Sequence, residues 1–166
     1  MVNLKNKKRI WDEVKCTDPR FTKKVSKGAY SFTTVVAQYN VLKATEMFGA
    51  HGDGWGWDVL EHSVIDGVFM VTVQLWYSEE MGLGPEGEVM VARRTCSPVF
   101  GTCKFKGTNK RGDYIDEEAP KKALTDALSK AFSYLGFSAD VFLGFFDNHK
   151  YVQSMTQRFS KEKASE

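Results

Sequence analysis

Four alanines, Ala119, Ala123, Ala127 and Ala131, recur at intervals of four, and Leu135 continues the row. Residues four apart lie on one side of an α-helix, so the row predicts a helix from about Glu117 to Leu135. Leu124, Leu128 and Phe132 run alongside, which gives an apolar stripe with a small-residue seam. Such a seam lets the helix pack closely against a sheet. Asp116, Glu117 and Glu118 suit its positive N-terminal end, Pro120 is tolerated only in a first turn, and Gly136 supplies a stop. The opposite face carries Lys122, Thr125, Ser129 and Ser133, flanked by Lys121 and Lys130.

The rest of the chain supplies the sheet. Between Thr34 and Phe48 the apolar residues Val35, Tyr39, Leu42 and Phe48 recur at helical spacing, with Thr33 or Thr34 as a cap and Gly49 as an end. The period then changes to two. Trp55, Trp57 and Val59 share a face, and Phe69, Val71, Val73, Leu75 and Tyr77 alternate along a second run. Asp66-Gly67 between these runs is a hairpin signal. A third run, Glu88 to Cys96, follows the break at Gly82, Gly84, Pro85 and Gly87. Residues 97–114 read as a loop or a short fourth strand with an exposed basic rim. The predicted class is α+β, an antiparallel meander packed against the alanine-seamed helix. Within 166 residues one domain is expected at 10–154, between a basic flexible segment at 1–9 and a polar tail at 155–166, with both ends fraying.

Charge nearly cancels, at 23 Lys+Arg against 21 Asp+Glu, so any polyanion site must come from the distribution of cations. One cluster is Lys104, Lys106, Lys110 and Arg111, preceded by Arg93 and Arg94. The other is Lys121, Lys122 and Lys130 on the second helix. Cys16, Cys96 and Cys103 form no Cys-x-x-Cys pair, and His51, His62 and His149 are scattered, so free thiols and no metal or other cofactor are expected. No apolar run approaches the length of a membrane span, and a cytoplasmic protein is expected. The glycines from Gly49 to Gly56 follow a helix and precede a strand, the reverse of a nucleotide loop, and no Walker sequence occurs. Trp55 and Trp57 read as core or interface anchors. Asp126, Asp140 and Asp147 are the acids a metal-dependent nuclease would use. Asp126 sits four residues from both Lys122 and Lys130, which favours ion pairing, and Asp147-Asn148 reads as a turn.

The stretch from Tyr39 to Trp57, with Glu46-Met47-Phe48-Gly49 and Gly54-Trp55, resembles the start of the annealing domain of the eukaryotic recombination mediator RAD-fifty-two. The helix from Glu118 to Gly136 resembles that family's signature helix more strongly. Through Phe146-Asp147-Asn148 and Lys150-Tyr151 the order is also similar to phage single-strand annealing proteins of the Erf and Sak type. The resemblance covers about residues 30–152. It implies a sheet backed by the signature helix, subunits side by side in a ring or spiral, and ATP-independent annealing of single-stranded DNA to its complement during recombination and repair. No enzyme activity is implied. It places Lys130 at a DNA-contacting arginine, Lys121 at a DNA-contacting lysine and Lys110 near another. Ser129 and Tyr39 stand where the family has further cations, for which Arg93, Arg94, Lys104 or Lys106 are candidate substitutes. A compact phage or bacterial protein is expected, with an exonuclease or single-strand-binding protein as a candidate additional partner. The alternatives are a nuclease, or a scaffold that binds single strands without annealing them.

Overall fold

The computed structural model describes residues 8–165, the side chain of Lys27 excepted. In chain order the elements are α1 (Arg9–Val14), β1 (Thr22–Lys27), β2 (Tyr30–Val35), α2 (Ala37–Phe48), β3 (Trp55–Ile65), β4 (Val68–Leu83), β5 (Val89–Thr95) and β6 (Val99–Lys104). They continue as β7 (Lys106–Asn109), β8 (Gly112–Ile115), α3 (Ala119–Tyr134), α4 (Ala139–Phe142) and α5 (His149–Ala164). Every strand pairing is antiparallel, so the class is α+β. No helix is long and apolar enough to cross a membrane among the described residues. The chain divides into two compact units, one of residues 44–132 and one that joins residues 8–43 to 133–165.

In the first unit β3, β4 and β5 form a meander, and β6 pairs with the first half of β4. Asp66 and Gly67 both take positive φ, 49° and 76°, the geometry of a tight two-residue hairpin whose twist matches its strands. Trp55, Trp57 and Val59 lie opposite Tyr77, Leu75 and Val73, and a bulge between Val59 and Glu61 brings His62 and Val64 opposite Val71 and Phe69. Val71, Val73, Leu75 and Trp55 are buried, whereas Val59 is 52% exposed. Residues 97–114, expected as a loop or one short strand, form β6 and a separate β7–β8 hairpin.

The alanine seam meets the sheet at β6. Ala119, Ala123, Ala127 and Ala131 are buried, and Gly101 faces them so closely that an added Cβ would lie 2.1 Å from the Ala123 carbonyl oxygen and 2.4 Å from the Ala127 nitrogen. Phe132 completes the seam, its ring edge-on to Trp55 at 5.5 Å. Backbone, not a flexible side chain, blocks the space at Gly101. G101A is therefore expected to destabilise this unit by about 1–3 kcal/mol, the usual cost of overpacking, read as a lower denaturant midpoint with the far-ultraviolet spectrum unchanged.

The second unit is built around a buried acid. Asp140, 3% exposed, accepts hydrogen bonds from the Thr17 nitrogen at 2.8 Å and hydroxyl at 2.6 Å, from the Val141 nitrogen at 2.9 Å, and from the Tyr151 hydroxyl at 2.8 Å. Four donors satisfy a carboxylate that burial would otherwise penalise. Two expectations change here. Thr33, Thr34 and Val35 continue β2 rather than start the helix, since the β-branched run Thr33-Thr34-Val35-Val36 prefers extended backbone. The tail expected to fray from residue 155 lies in α5 as far as Ala164. Asn148 caps that helix, Arg158 and Glu162 pair at 2.8 Å, and Tyr151, Val152, Met155 and Phe159 form a half-buried stripe. The expected N-terminal segment lies outside the described residues as far as residue 7, and Arg9 begins α1.

Burial, with the Asp140 carboxylate beside it, pushes the Tyr151 phenol above its ordinary 10.0. The folded state thus holds a proton that the unfolded chain releases first as pH rises, so this stabilisation is complete below the ordinary phenol range and is lost above it. Y151F is expected to cost about 1–3 kcal/mol at neutral pH through the lost hydrogen bond. It should also flatten the decline in stability above about pH 10, as urea titrations at neutral and alkaline pH would show.

Candidate nucleic-acid interface

With its alanine side fixed to the sheet, α3 turns Lys121, Lys122, Thr125 and Lys130 outward, all exposed. The hydroxyls are occupied locally. Thr125 donates to the Lys121 carbonyl at 2.9 Å and Ser129 to the Thr125 carbonyl at 2.8 Å, so they cover the helix backbone. The three lysines each hold an acid: Lys121 with Glu118 at 2.8 Å, Lys122 with Asp116 at 2.7 Å, and Lys130 with Asp126 at 2.7 Å. Asp116 also accepts from the Glu118 nitrogen at 3.0 Å at the helix start. Lys122 holds the Asp116 carboxyl below the usual carboxylate range, and Lys121 does the same for Glu118. Of the two lysines expected near Asp126, Lys130 is its partner and Lys122 reaches back to Asp116 instead.

The Lys130–Asp126 pair has a second task. Lys130 donates to the Phe100 carbonyl at 3.2 Å, and the Thr102 nitrogen donates to Asp126 at 3.2 Å. Both backbone groups belong to β6, at the edge away from β4, so one ion pair shields a strand edge. It also ties the α3 cations to β6. At the end of that strand Lys104 stands 5.8 Å from the Tyr114 ring centre, and Lys106 stands 5.6 Å from that of Phe105. The Asp116 nitrogen donates to the Phe105 carbonyl at 2.8 Å, which anchors the start of α3 beside the β7–β8 hairpin. Lys110 and Arg111 form the exposed turn of that hairpin. Seven of the nine expected cations thus belong to a continuous succession: α3, the edge of β6, and the β7–β8 hairpin.

Arg93 and Arg94 stand apart. Lys104 lies opposite Val68 on β4, whereas Arg94 lies opposite Tyr77, a separation of about 30 Å at ~3.3 Å per residue. As neighbours on a strand the two arginines point to opposite faces. Arg94 pairs with Glu79 at 2.7 Å. Arg93 pairs with Asp58 at 2.7 Å and stacks 4.0 Å from the centre of the Trp76 ring, which is 9% exposed and lies over Gly56. Sequence reasoning did not single out Trp76, Asp58 or the 59%-exposed Phe100. Alternation marks Phe100 and Gly101 as opposite faces of β6, but only the register places Trp76 under Arg93.

Tyr39, which stands where the resemblance sets a cation, is a core residue 3% exposed. It stacks on Phe21 at 4.9 Å, and its hydroxyl accepts from the Asp18 nitrogen at 3.2 Å. Trp55 is buried as expected of an anchor, with its indole N–H unpaired. The three cysteines are free thiols. Among the described residues no group of three or more His, Cys, Asp or Glu is arranged to hold a metal ion.

No protein-family model matches the sequence, and no curated protein matches it. The half-exposed Lys130–Asp126 pair, 48% and 42% accessible, belongs to the class whose removal costs at most about 1 kcal/mol. K130A is expected to shift the denaturation midpoint by no more than that, so a larger effect on ligand binding would report on the ligand.

Proposed function

We propose that this protein binds single-stranded DNA and anneals it to its complement without nucleotide or metal, as a homo-oligomer and not as an enzyme, in recombination and repair. The observation that carries the reading is the exposed succession of cations from Lys121, Lys122 and Lys130 to Lys104 and the β7–β8 hairpin. A strand held by its phosphates leaves base edges free, while the cations suppress repulsion as a second strand pairs. The pairs with Glu118, Asp116 and Asp126 are largely exposed, so a phosphate can take the place of a carboxylate at little cost. Two of the three acids fit a nuclease poorly. Asp140 is buried with its acceptor positions filled, and Asp126 is held by Lys130 and the Thr102 nitrogen.

K121A/K130A is expected to weaken binding of a labelled oligonucleotide alike across sequences. The slope of log affinity against log salt should become shallower by about 0.7 for each phosphate contact removed. R93A/R94A is the comparison, with a smaller effect expected from cations about 30 Å along the sheet. In a fluorescence-quenching assay, annealing by the unmodified protein should persist in EDTA without ATP and slow in high salt. A rate that falls to the protein-free value on withdrawal of ATP or magnesium would refute the mechanism, and cleavage of the strand would install the nuclease reading. Binding without any acceleration of pairing would reduce the protein to a scaffold.

A further inference from the structure

β3 pairs with β4 only as far as Tyr77, whereas β5 stays with β4 to Leu83. The two strands therefore run on as a ribbon for about 20 Å beyond the end of β3, at ~3.3 Å per residue. On this extension Leu83 is 70% exposed, Val89 55% and Val91 59%. A two-stranded ribbon has little core of its own, and bare apolar side chains beside open edges are a template for another chain.

At the ribbon's base Arg93 lies opposite Ser78 and Arg94 pairs with Glu79 at 2.7 Å, and beyond them the charge is negative. From Trp76 to Ala92 the sequence holds Glu79, Glu80, Glu86 and Glu88 and no lysine or arginine. From Lys104 through the β7–β8 hairpin the balance reverses, with Lys104, Lys106, Lys110 and Arg111 against Asp113 alone, which accepts from the Thr108 hydroxyl at 2.6 Å. These segments sit at opposite ends of β4. Leu83 pairs with Val89 at one end and Val68 with Lys104 at the other, about 50 Å away along an extended strand of ~3.3 Å per residue. The β7–β8 hairpin is tied to the far end, where the Phe105 and Lys106 nitrogens donate to the Gly67 carbonyl at 2.8 and 2.9 Å. A bulge between Glu80 and Gly82 bends the ribbon, but β4 keeps the two segments at its opposite ends, so a contact between them is one made between two copies.

We propose that the acidic β4–β5 ribbon of one copy docks on the basic β7–β8 hairpin of a second copy. This deepens the self-assembly part of the reading above and does not depend on DNA. Leu83, Val89 and Val91 supply the buried area, the glutamates with Lys110 and Arg111 set the direction, and Lys104, Lys121, Lys122 and Lys130 are left to the DNA strand. Because unlike surfaces meet, the contact repeats head to tail and closes into a ring or continues as a filament, unlike a two-fold dimer.

Reciprocal charge reversal tests it. E80K/E86K reverses the ribbon and K110E/R111E the hairpin. Glu88 is left in place because its carboxylate accepts from the Glu86 nitrogen at the turn. In sedimentation velocity each variant alone is expected to lose assembly, and an equimolar mixture to regain it, since each reversed ribbon then meets a reversed hairpin. A variant that assembles alone like the unmodified protein, or a mixture that stays monomeric while both variants melt cooperatively, overturns the contact. If either reversal fails to fold, the neutral E80Q/E86Q replaces it and should weaken assembly on the order of tenfold and remove most of its salt dependence. An unchanged salt response overturns the proposal. An unmodified chain that anneals DNA as a stable monomer removes this contact and leaves annealing standing. Assembly of the unmodified protein without strand binding does the opposite.

Discussion

The backbone of β6 at Gly101 lies against the backbone of α3 at Ala123 and Ala127, and the arrangement of the first unit follows from that approach. Contact at this range is available only where one partner has no side chain and the other has methyl groups. It determines which side of α3 faces the sheet and, by elimination, which side meets solvent. It also brings Asp126 and Lys130 within reach of the Thr102 nitrogen and Phe100 carbonyl, so the helix that packs on β6 shields its edge as well. The position of the cations is a by-product of how the helix is buried.

Those cations are already engaged within the chain. Lys121, Lys122 and Lys130 each hold a carboxylate on the surface, where water and salt screen the attraction and keep such pairs weak. The near balance of charge over the chain then describes a surface whose lysines are held in place by exchangeable acids. Asp140 shows the other regime. Buried among four donors, it cannot exchange partners without leaving a charge unsatisfied, and its role is to hold the second unit together.

Local pattern carried what was legible in the sequence. The alanine interval of α3, the period-two runs of β3 and β4 and the Asp66-Gly67 turn are each specified by residues near one another in the chain. The β1–β2 hairpin was not foreseen, and the β-branched run at its end was read as a helix cap because Thr33 and Thr34 suit either role. The stripe of Tyr151, Val152, Met155 and Phe159 was present but masked by the polar residues around it. Long-range pairing explains the remaining differences in the candidate site. Arg93 and Arg94 seemed to belong with Lys104 because they are near in sequence, but β4 carries β5 and β6 at different heights along its length. Tyr39 belongs to the apolar helical pattern although the resemblance sets a cation there, and its 3% exposure and stacking on Phe21 make it core.

The close approach at Gly101 also divides α3 into two sides that tolerate change unequally. An exposed lysine of α3 can become an arginine, or move by one turn of helix, without disturbing the packing of the helix on the sheet. Ala123 and Ala127 have no such freedom, since they pack on the β6 backbone at Gly101. The fold therefore tolerates change at the exposed lysines of α3 and not at the alanines that meet the β6 backbone. In a helix of this kind the buried side carries the constraint and the exposed side carries the freedom.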